Sequence, residues 1–276
     1  MRMLNRKKRR ATVCLMAVFT VCFVVVAAAL LENVIWPEAS GENVLKSSEL
    51  TVDCSHADLG YIMVKGASKK GLKVRVSKNG SQLMYDLNPN GEWEVFPLQM
   101  GDGKYNISLF TNVSGNKYAS SGSVDLNVKV TNPATVYLIT NQYVEYTPDT
   151  EAVAKSEELC EGLTTDEEKF EAIRTYIRDN YAYDFDKART VTGGTLPSID
   201  YLWEEGMGIC QDLAATAACM LRVQGIPTQL VIGYVNRNYY HAWNSVLIDG
   251  KQILYDPTAD LGAIPADPSY TVERFY

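Results

Sequence analysis

The segment GMGICQDLAATAACMLRVQGIP, residues 206–227, constrains the fold of this chain more than any other stretch. Its middle part is rich in alanine and leucine, which are strong helix formers. Gly225 and Pro227 follow, and this pair is typical of a helix C-terminus. The pattern therefore predicts Cys210 in the first turn of a buried helix. There the unpaired backbone N–H groups and the helix dipole favour a thiolate over a thiol.

The two cysteines of this segment have different predicted roles. Most free cysteines are small buried core residues, and Cys219, further along the helix, is typical of that class. Cys210 lies at the helix N-terminus, which favours a nucleophile. A thiolate nucleophile needs a base, and histidine is the usual one near neutral pH. Of the two histidines in the chain, His241 follows Cys210 and is the candidate base.

The segment YYHAWNSVLIDGKQILYDPTAD, residues 239–260, is predicted to form a β-hairpin. Two strand-like runs flank Asp249-Gly250, which is a strong two-residue turn signal. If Ile248 and Lys251 close that turn, Asp256 lies diagonally across from His241 on the same face. Long side chains can bridge this separation. The register thus predicts the third group of a triad, the one that orients the imidazole.

Three segments in this order resemble the transglutaminase-like superfamily of papain-related cysteine enzymes. They are GICQDLAATAACMLRVQGIPTQLVIGYV, YYHAWNSV and LYDPTAD. The resemblance begins near Asp149 and continues to the C-terminus. It implies a papain-like α+β core in which Cys210 is the nucleophile, His241 the base and Asp256 the orienting acid. It also implies that Trp203, upstream of the nucleophile, lines the cleft.

Further residues near the predicted site have two interpretations each. Trp243 shares a face with His241 in the derived register, so it forms either a wall of the cleft or part of the core. Tyr239 and Tyr240 precede His241 at the mouth of a hairpin, and Tyr240 is a candidate substrate contact. Asp212 complements the positive end of the helix, or it acts on the thiolate itself.

The N-terminus predicts export from the cytoplasm. Its first ten residues carry six basic residues and no acid, and residues 11–31 carry no charge. Such a pattern is typical of an uncleaved transmembrane anchor or a long signal peptide. We favour an anchor over residues 1–31 with its basic end in the cytoplasm. The rest of the chain is then outside the membrane, with secretion after cleavage as the alternative.

The charge and the cysteines of the exported part restrict its partners and its covalent structure. The whole chain has a net charge of −7, and without the six N-terminal basic residues the balance is 20 Lys+Arg against 33 Asp+Glu, or −13. This excess of acid argues against a nucleic-acid partner. If Cys210 is reduced, three cysteines are left, which argues against a disulfide-stapled scaffold. One bridge among Cys54, Cys160 and Cys219 stays open.

The remaining sequence predicts a multidomain organisation. Residues 32–48 are a predicted stalk. Residues 49–131 contain six or seven short alternating runs separated by turn signals, which predicts an immunoglobulin-like β-sandwich. Residues 132–149 are a predicted linker, and residues 150–276 form the α+β catalytic domain. Within it, Thr165 and Glu168 have the spacing of a capping box that begins a helix.

These features predict an enzyme without a cofactor. The sequence has no phosphate-binding glycine loop and no Cys/His spacing for zinc, so neither a nucleotide nor a metal is expected. The expected reaction is cysteine-dependent hydrolysis or acyl transfer on peptide or carboxamide bonds of a polypeptide outside the membrane. The sequence does not choose between water and an amine as the acyl acceptor. The alternative is a catalytically silent surface protein whose β-sandwich binds a ligand.

Overall fold

The computed structural model describes residues 34–276 of the chain. The apolar segment over residues 11–31, which is predicted to be an anchor or a signal peptide, lies outside these residues. Among residues 34–276, no helix combines the length and the apolar character needed to cross a membrane.

The first part of the described chain is an all-β region of two antiparallel sheets. The sheets have the strand orders β1-β2-β3-β6 and β5-β4-β7-β8, and their buried faces contribute to one hydrophobic core. The strands are β1 (Val44–Ser47), β2 (Leu50–Asp53), β3 (Tyr61–Lys65), β4 (Leu72–Lys78), β5 (Ser81–Leu87), β6 (Glu94–Pro97), β7 (Gly103–Ser114) and β8 (Lys117–Val128). The all-β character agrees with the prediction for residues 49–131.

Alternation of apolar and polar residues explains why these segments form strands. In β4, the side chains of Leu72, Val74 and Val76 are buried, whereas those of Lys73 and Arg75 between them are half-buried. Successive side chains of a strand point to opposite faces of the sheet, so this spacing gives β4 one face for the core and one for solvent.

The β region begins earlier than predicted, because β1 lies within residues 32–48. A side chain at Gly122 of β8 would place its Cβ 2.4 Å from the carbonyl oxygen of Ser47 and 3.1 Å from Cβ of Leu50. Only glycine leaves room for this close approach of β8 to the turn after β1. The predicted stalk is therefore shortened by a strand that packs on the β region.

The predicted linker, residues 132–149, packs into the protein core. Ile139, Val144 and Tyr146 of this segment are buried. The main-chain oxygen of Ile139 also accepts a hydrogen bond of 2.6 Å from Nη1 of Arg222, which belongs to the second region. The segment is thus part of the protein core, and a charged hydrogen bond attaches it to the second region.

The second region combines helices with a four-stranded antiparallel sheet of order β13-β12-β11-β14. Its helices are α1 (Glu151–Cys160), α2 (Asp166–Asn180), α3 (Phe185–Thr190), α4 (Ile199–Glu205), α5 (Cys210–Arg222) and α6 (Pro257–Asp260). Its strands are β9 (Ala182–Tyr183), β10 (Met207–Gly208), β11 (Thr228–Val235), β12 (Tyr239–Ile248), β13 (Lys251–Tyr255) and β14 (Tyr270–Phe275). This is a mixed α/β core, as predicted for residues 150–276.

The predicted capping box begins α2. The amide N–H of Glu168 donates to Oγ1 of Thr165 at 3.2 Å, and the amide N–H of Thr165 donates to a carboxylate oxygen of Glu168 at 3.1 Å. Phe170, Ile173 and Ile177 then form the buried face of the helix. These hydrogen bonds confirm the predicted capping box. It could be predicted because caps and helical periodicity depend on residues close together in sequence.

Helix α5 lies in the middle of the second region. All its side chains from Asp212 to Arg222 are buried. The side-chain amide of Asn244, on β12, donates to the main-chain oxygen of Ala214 at 2.9 Å, which ties the helix to the sheet. Alanine suits this position because its small side chain lets helix and sheet approach closely.

The β12–β13 hairpin has the predicted register. Ile248 pairs with Lys251 across Asp249 and Gly250, which both have positive φ, 49° and 72°. Such a turn requires residues that tolerate the left-handed region, and Asp-Gly is a preferred pair there. The pairing continues to Asn244 opposite Tyr255 and brings the chain after β13 next to the start of β12.

Candidate functional site

Cys210 is the first residue of α5 and is partly exposed. Two glycines control the approach of the chain to it. Gly206 ends α4 with φ of 66°, a conformation that favours glycine. A Cβ on Gly208 would lie 2.8 Å from Cδ1 of Leu202 and 3.0 Å from Cβ of Asp212. The positive φ at Gly206 and the close contacts at Gly208 explain why glycine stands on both sides of Met207.

His241 and Asp256 form a buried pair. Nε2 of His241 lies 2.8 Å from Oδ2 of Asp256, and the two residues are only 6% and 4% exposed. The other carboxylate oxygen, Oδ1, accepts the amide N–H groups of Thr258 and Ala259 at 2.9 Å and 3.2 Å. Asp256 therefore caps α6 and holds the imidazole at the same time, which fixes both of its oxygens.

Cys210 interacts with the same imidazole, and together the neighbours of the ring raise its pKa. Burial alone lowers the pKa of His241, because it disfavours the charged form. The hydrogen bond to Asp256 opposes this effect, as do the hydrogen bond and the charge of Cys210. The result is a pKa of His241 of about 9, compared with 6.5 ordinarily. The neighbours of the ring thus favour its protonated form near neutral pH.

Comparisons with known proteins give one family match. Residues 153–257 match the model of the transglutaminase-like superfamily, and this range contains Cys210, His241 and Asp256. The chain carries a transglutaminase-like domain. A comparison with curated proteins returned no match.

The solved structures to which this chain is similar include three proteins. A candidate cysteine protease from Cytophaga hutchinsonii is 16% identical, with a TM-score of 0.40, covering 85% of this chain and 90% of that one. A protein called a TGase is 19% identical, with a TM-score of 0.36, covering 57% and 46%. The periplasmic domain of TgpA from Pseudomonas aeruginosa is 17% identical, with a TM-score of 0.38, covering 82% and 76%.

In this transglutaminase-like domain, Asp256 has a further partner that sequence reasoning missed. The hydroxyl of Tyr270 donates to Oδ2 of Asp256 at 2.9 Å. Burial raises the pKa of Tyr270, and the charge of Asp256 and this hydrogen bond raise it further, so the phenol keeps its proton. Tyr270 reaches the site because β14 pairs with β11. The position of Tyr270 in the sequence, relative to His241 and Asp256, does not indicate this hydrogen bond.

Trp243 is a buried wall behind the histidine. Its ring is stacked on the imidazole of His241, with 6.2 Å between centroids and 18° between planes, and it also contacts Tyr270 at 5.0 Å. Trp243 is only 2% exposed. Both interpretations of Trp243 therefore hold in part, since it borders the site but belongs to the core.

The other two predicted substrate contacts lie apart from the His241 ring. Trp203, on α4, packs against Tyr176 and Tyr181 at 6.3 Å and 6.4 Å between centroids. Tyr240 alternates with His241 along β12, so its side chain lies on the opposite face of the sheet. There its ring centroid lies 5.5 Å from that of Tyr234. The structure thus brings neither Trp203 nor Tyr240 to the buried pair of His241 and Asp256.

Asp212 is a buried acid with a structural environment. Its carboxylate accepts the amide N–H groups of Ile209 and Ser198, both at 3.0 Å, and forms an ion pair of 2.7 Å with Lys187. Asp212 thereby satisfies the amide just before α5 and fixes the loop that precedes α4. The ion pair compensates its charge, which favours the structural interpretation of this residue.

Tyr183 is a second residue near Cys210 that the sequence did not indicate. The parallel pair β9–β10 places it opposite Gly208, two residues before the cysteine. Burial raises the pKa of Tyr183 to about 12, and the charge of Cys210 adds to this effect. The phenol therefore keeps its proton at neutral pH and can donate a hydrogen bond.

The remaining cysteines are buried, and no metal site accompanies them in the described chain. Cys54, Cys160, Cys210 and Cys219 are all free. Burial raises the pKa of Cys54 and of Cys160 to about 11, and it raises that of Cys219 as well. Within residues 34–276, no cluster of three His, Cys, Asp or Glu side chains could hold a metal ion.

Proposed function

We propose that this protein is a cysteine-dependent enzyme that hydrolyses or transfers acyl groups of peptide or carboxamide bonds. The observation that carries the proposal is the His241 ring, which interacts with Cys210 and with the buried carboxylate of Asp256 and has a raised pKa. Cys210 is the nucleophile, His241 the general acid and base, and Asp256 the group that orients the ring.

The reaction begins with attack of the Cys210 thiolate on the carbonyl carbon. A bond from sulfur to carbon forms, and the carbonyl oxygen becomes an oxyanion. The backbone N–H of Cys210, in the first turn of α5, is a donor for that oxyanion, and the neutral hydroxyl of Tyr183 is a second candidate. The protonated His241 then gives its proton to the leaving amine as the carbon–nitrogen bond breaks. A thioester on Cys210 is left.

The second half of the reaction releases the acyl group. His241, now neutral, removes a proton from water or from an amine, whose oxygen or nitrogen attacks the thioester carbon. The bond to sulfur breaks, and Cys210 leaves as the thiolate beside the reprotonated His241. Water completes a hydrolysis, whereas an amine completes a transamidation. We include both outcomes in the proposal.

We also propose that the domain acts outside the cytoplasm on envelope or surface polypeptides. The support is the basic N-terminus followed by the uncharged residues 11–31. Protease added to intact cells should then digest the region after Glu32 and leave the N-terminus protected. Protection of the whole chain would contradict this location. The β region is proposed to be immunoglobulin-like, with the strand orders of its two sheets as support.

The test of the reaction is mass spectrometry of defined peptides that contain glutamine, incubated with the protein and an amine donor. We expect cleavage, deamidation or amine incorporation by the wild type and by Cys219→Ala, and none by Cys210→Ala. Cys219 is the matched control because it lies on the same helix and is buried. Iodoacetamide at mildly acidic pH should alkylate Cys210 and spare Cys219. Equal, slow labelling of both cysteines would contradict the proposed nucleophile.

A further inference from the structure

A cavity of about 460 Å³ lies between the β region and the connecting segment over residues 140–147. Strands β4, β5 and β6 contribute walls, and residues 140–147 of the connecting segment close one side. Leu196, from the loop before α4, completes the lining. This volume is in the range of sites for small ligands and side chains, which often form where two regions meet.

The lining combines carboxylates with aromatic rings. Asp86, Glu94 and Glu145 line the cavity together with Trp93 and Tyr118, and no lysine or arginine is among the described lining residues. Acidic groups around an aromatic surface are the chemistry that recognises an ammonium or guanidinium group.

Two of the three carboxylates lack a compensating cation. Asp86 forms an ion pair of 2.5 Å with Lys73, but within residues 34–276 neither Glu94 nor Glu145 is in an ion pair. Burial raises the pKa of Glu94 against the hydrogen bond from Asn88, and the charges of Glu145 and Asp86 raise it further. A cation in the cavity would relieve this repulsion.

Two further contacts concern the same walls. Lys65 lies with its ammonium nitrogen 4.4 Å from the centroid of Trp93, so this indole already holds one cation on its surface. Asn141, 1% exposed, also lines the cavity, and within the described residues its side-chain nitrogen has no hydrogen-bond partner. A buried amide donor without a partner is costly, and an oxygen of a bound ligand would satisfy it.

The cavity is connected to Cys210 through a short series of contacts. The side-chain amide of Gln211, the residue after Cys210, donates to the main-chain oxygen of Thr195 at 3.1 Å. Thr195 precedes Leu196 in the cavity wall. Standard bond lengths limit the Cα distance from Cys210 to Leu196 to roughly 15 Å, which four or five extended residues span.

We infer that this cavity binds a lysine or arginine side chain of the polypeptide whose acyl group reacts at Cys210. The peptide carbonyl next to that basic residue is a suitable partner for the Asn141 amide. This inference rests on the proposed function for its substrate, but binding in the cavity needs no reaction at the sulfur. The two proposals can therefore fail separately.

The experiment measures binding by the full chain with Cys210→Ala, so that no turnover occurs. The probe is a blocked peptide with a glutamine and a lysine separated by four alanines, and its twin carries norleucine in place of lysine. Titration calorimetry should give binding of the lysine peptide at least about 10-fold tighter than that of its twin, the effect of one charge-assisted hydrogen bond.

Variants of the cavity test its charges. Glu94→Gln keeps an oxygen for the Asn88 N–H group, which now donates to Glu94 at 2.7 Å, so the fold should persist while binding weakens about 10-fold. Glu145→Gln should weaken binding in the same direction. Glu92→Gln is the matched control, because Glu92 is exposed, lies two residues from Glu94 and does not line the cavity. It should leave binding unchanged.

Several outcomes would overturn the inference. The first is equal binding of the lysine and norleucine peptides, and the second is equal effects of Glu94→Gln and Glu92→Gln on binding. The third is preferential binding of a neutral oligosaccharide whose affinity does not change in Glu94→Gln or Glu145→Gln. If Cys210 is reactive but the peptides bind without any preference for a positive charge, only this inference fails. Charge-selective binding with an unreactive Cys210 would instead remove the proposed function and leave a cation-binding cavity.

Discussion

The two ends of helix α5 present charged and reactive groups in opposite environments. At its N-terminus, Cys210 is partly exposed and interacts with the titratable ring of His241. At its C-terminus, Arg222 is 1% exposed and donates only to main-chain oxygens, those of Thr228, Ile139 and Tyr276. One helix thus carries a partly exposed thiol at one end and a charge enclosed by the protein at the other.

The difference shows how a buried charge can serve structure without chemistry. The guanidinium of Arg222 links three segments in a fixed arrangement through their main-chain oxygens. His241, in contrast, is a titratable ring, and its partners are the side chains of Asp256 and Cys210. The same contrast separates the two cysteines of the helix, because Cys219 is fully buried and burial raises the pKa of its thiol.

The largest expected effect is at the reactive end. Asp256→Asn should lower the rate by about 10² to 10⁴, because the amide cannot stabilise the imidazolium of His241 as a carboxylate does. The fold should persist, since asparagine also caps helices such as α6. Turnover of the glutamine peptides and thermal unfolding measure the two effects.

The control for this substitution is Asp260→Asn on the same short helix. Asp260 is paired with Arg174 and does not contact His241. Its replacement should leave the rate nearly unchanged. Equal rates for Asp256→Asn and the wild type would mean that Asp256 serves only as the cap of α6.

The next effect concerns the structural end. Arg222→Met should lower the free energy of unfolding by about 3–5 kcal/mol, because three main-chain oxygens lose a charged donor in the core. The rate per folded molecule should stay close to that of the wild type. Urea unfolding and alkylation of Cys210 measure these quantities.

An exposed arginine provides the comparison. Arg178, on α2, pairs only with its neighbour Asp179, and Arg178→Met should change the free energy of unfolding by less than about 0.5 kcal/mol. If Arg222→Met changed the free energy of unfolding as little as Arg178→Met, Arg222 would not have the stabilising role that distinguishes its end of α5.

A pH titration sharpens the comparison further. Because the pKa of His241 is about 9 in the folded protein and 6.5 ordinarily, its stabilising contribution is complete below pH 6.5 and is lost as the pH rises through 9. The contribution is on the order of 3 kcal/mol. The difference in unfolding free energy between wild type and His241→Gln should decrease accordingly. A difference that does not change with pH would contradict the assigned cause.

The smallest effect belongs to Tyr270, a positioning residue. Tyr270→Phe removes one of the hydrogen bonds to Asp256 and should lower kcat by about five- to tenfold with little change in KM. The pH profile of the rate should shift as well, since Asp256 acts on His241. Tyr239→Phe is the control, because Tyr239 is 64% exposed. Similar kinetics for both variants would exclude the positioning role.

Local sequence rules predicted the parts of this site that depend on neighbouring residues. The alanine-rich run between Gly206 and Pro227 was sufficient for a helix that begins at Cys210. The Asp249-Gly250 turn was sufficient for the register that brings Asp256 to His241, because a two-residue turn fixes every later pair of the hairpin.

The same rules could not predict contacts between distant segments. Tyr270 reaches Asp256 only because β14 pairs with β11, and Tyr183 lies opposite Gly208 only because β9 pairs with β10. The alternation of β12 likewise turned Tyr240 away from the site once the buried face of the sheet was fixed.

The sequence by itself thus determined which residues begin α5 and close the β12–β13 hairpin, since hydrogen bonds and dihedral preferences within a few residues decide both. The tertiary structure decided which side chains pack around His241 and which oxygens accept hydrogen bonds from Arg222. Those choices depend on strand pairing between segments far apart in the chain. Their free energy comes from packing and desolvation, which no short stretch of sequence contains.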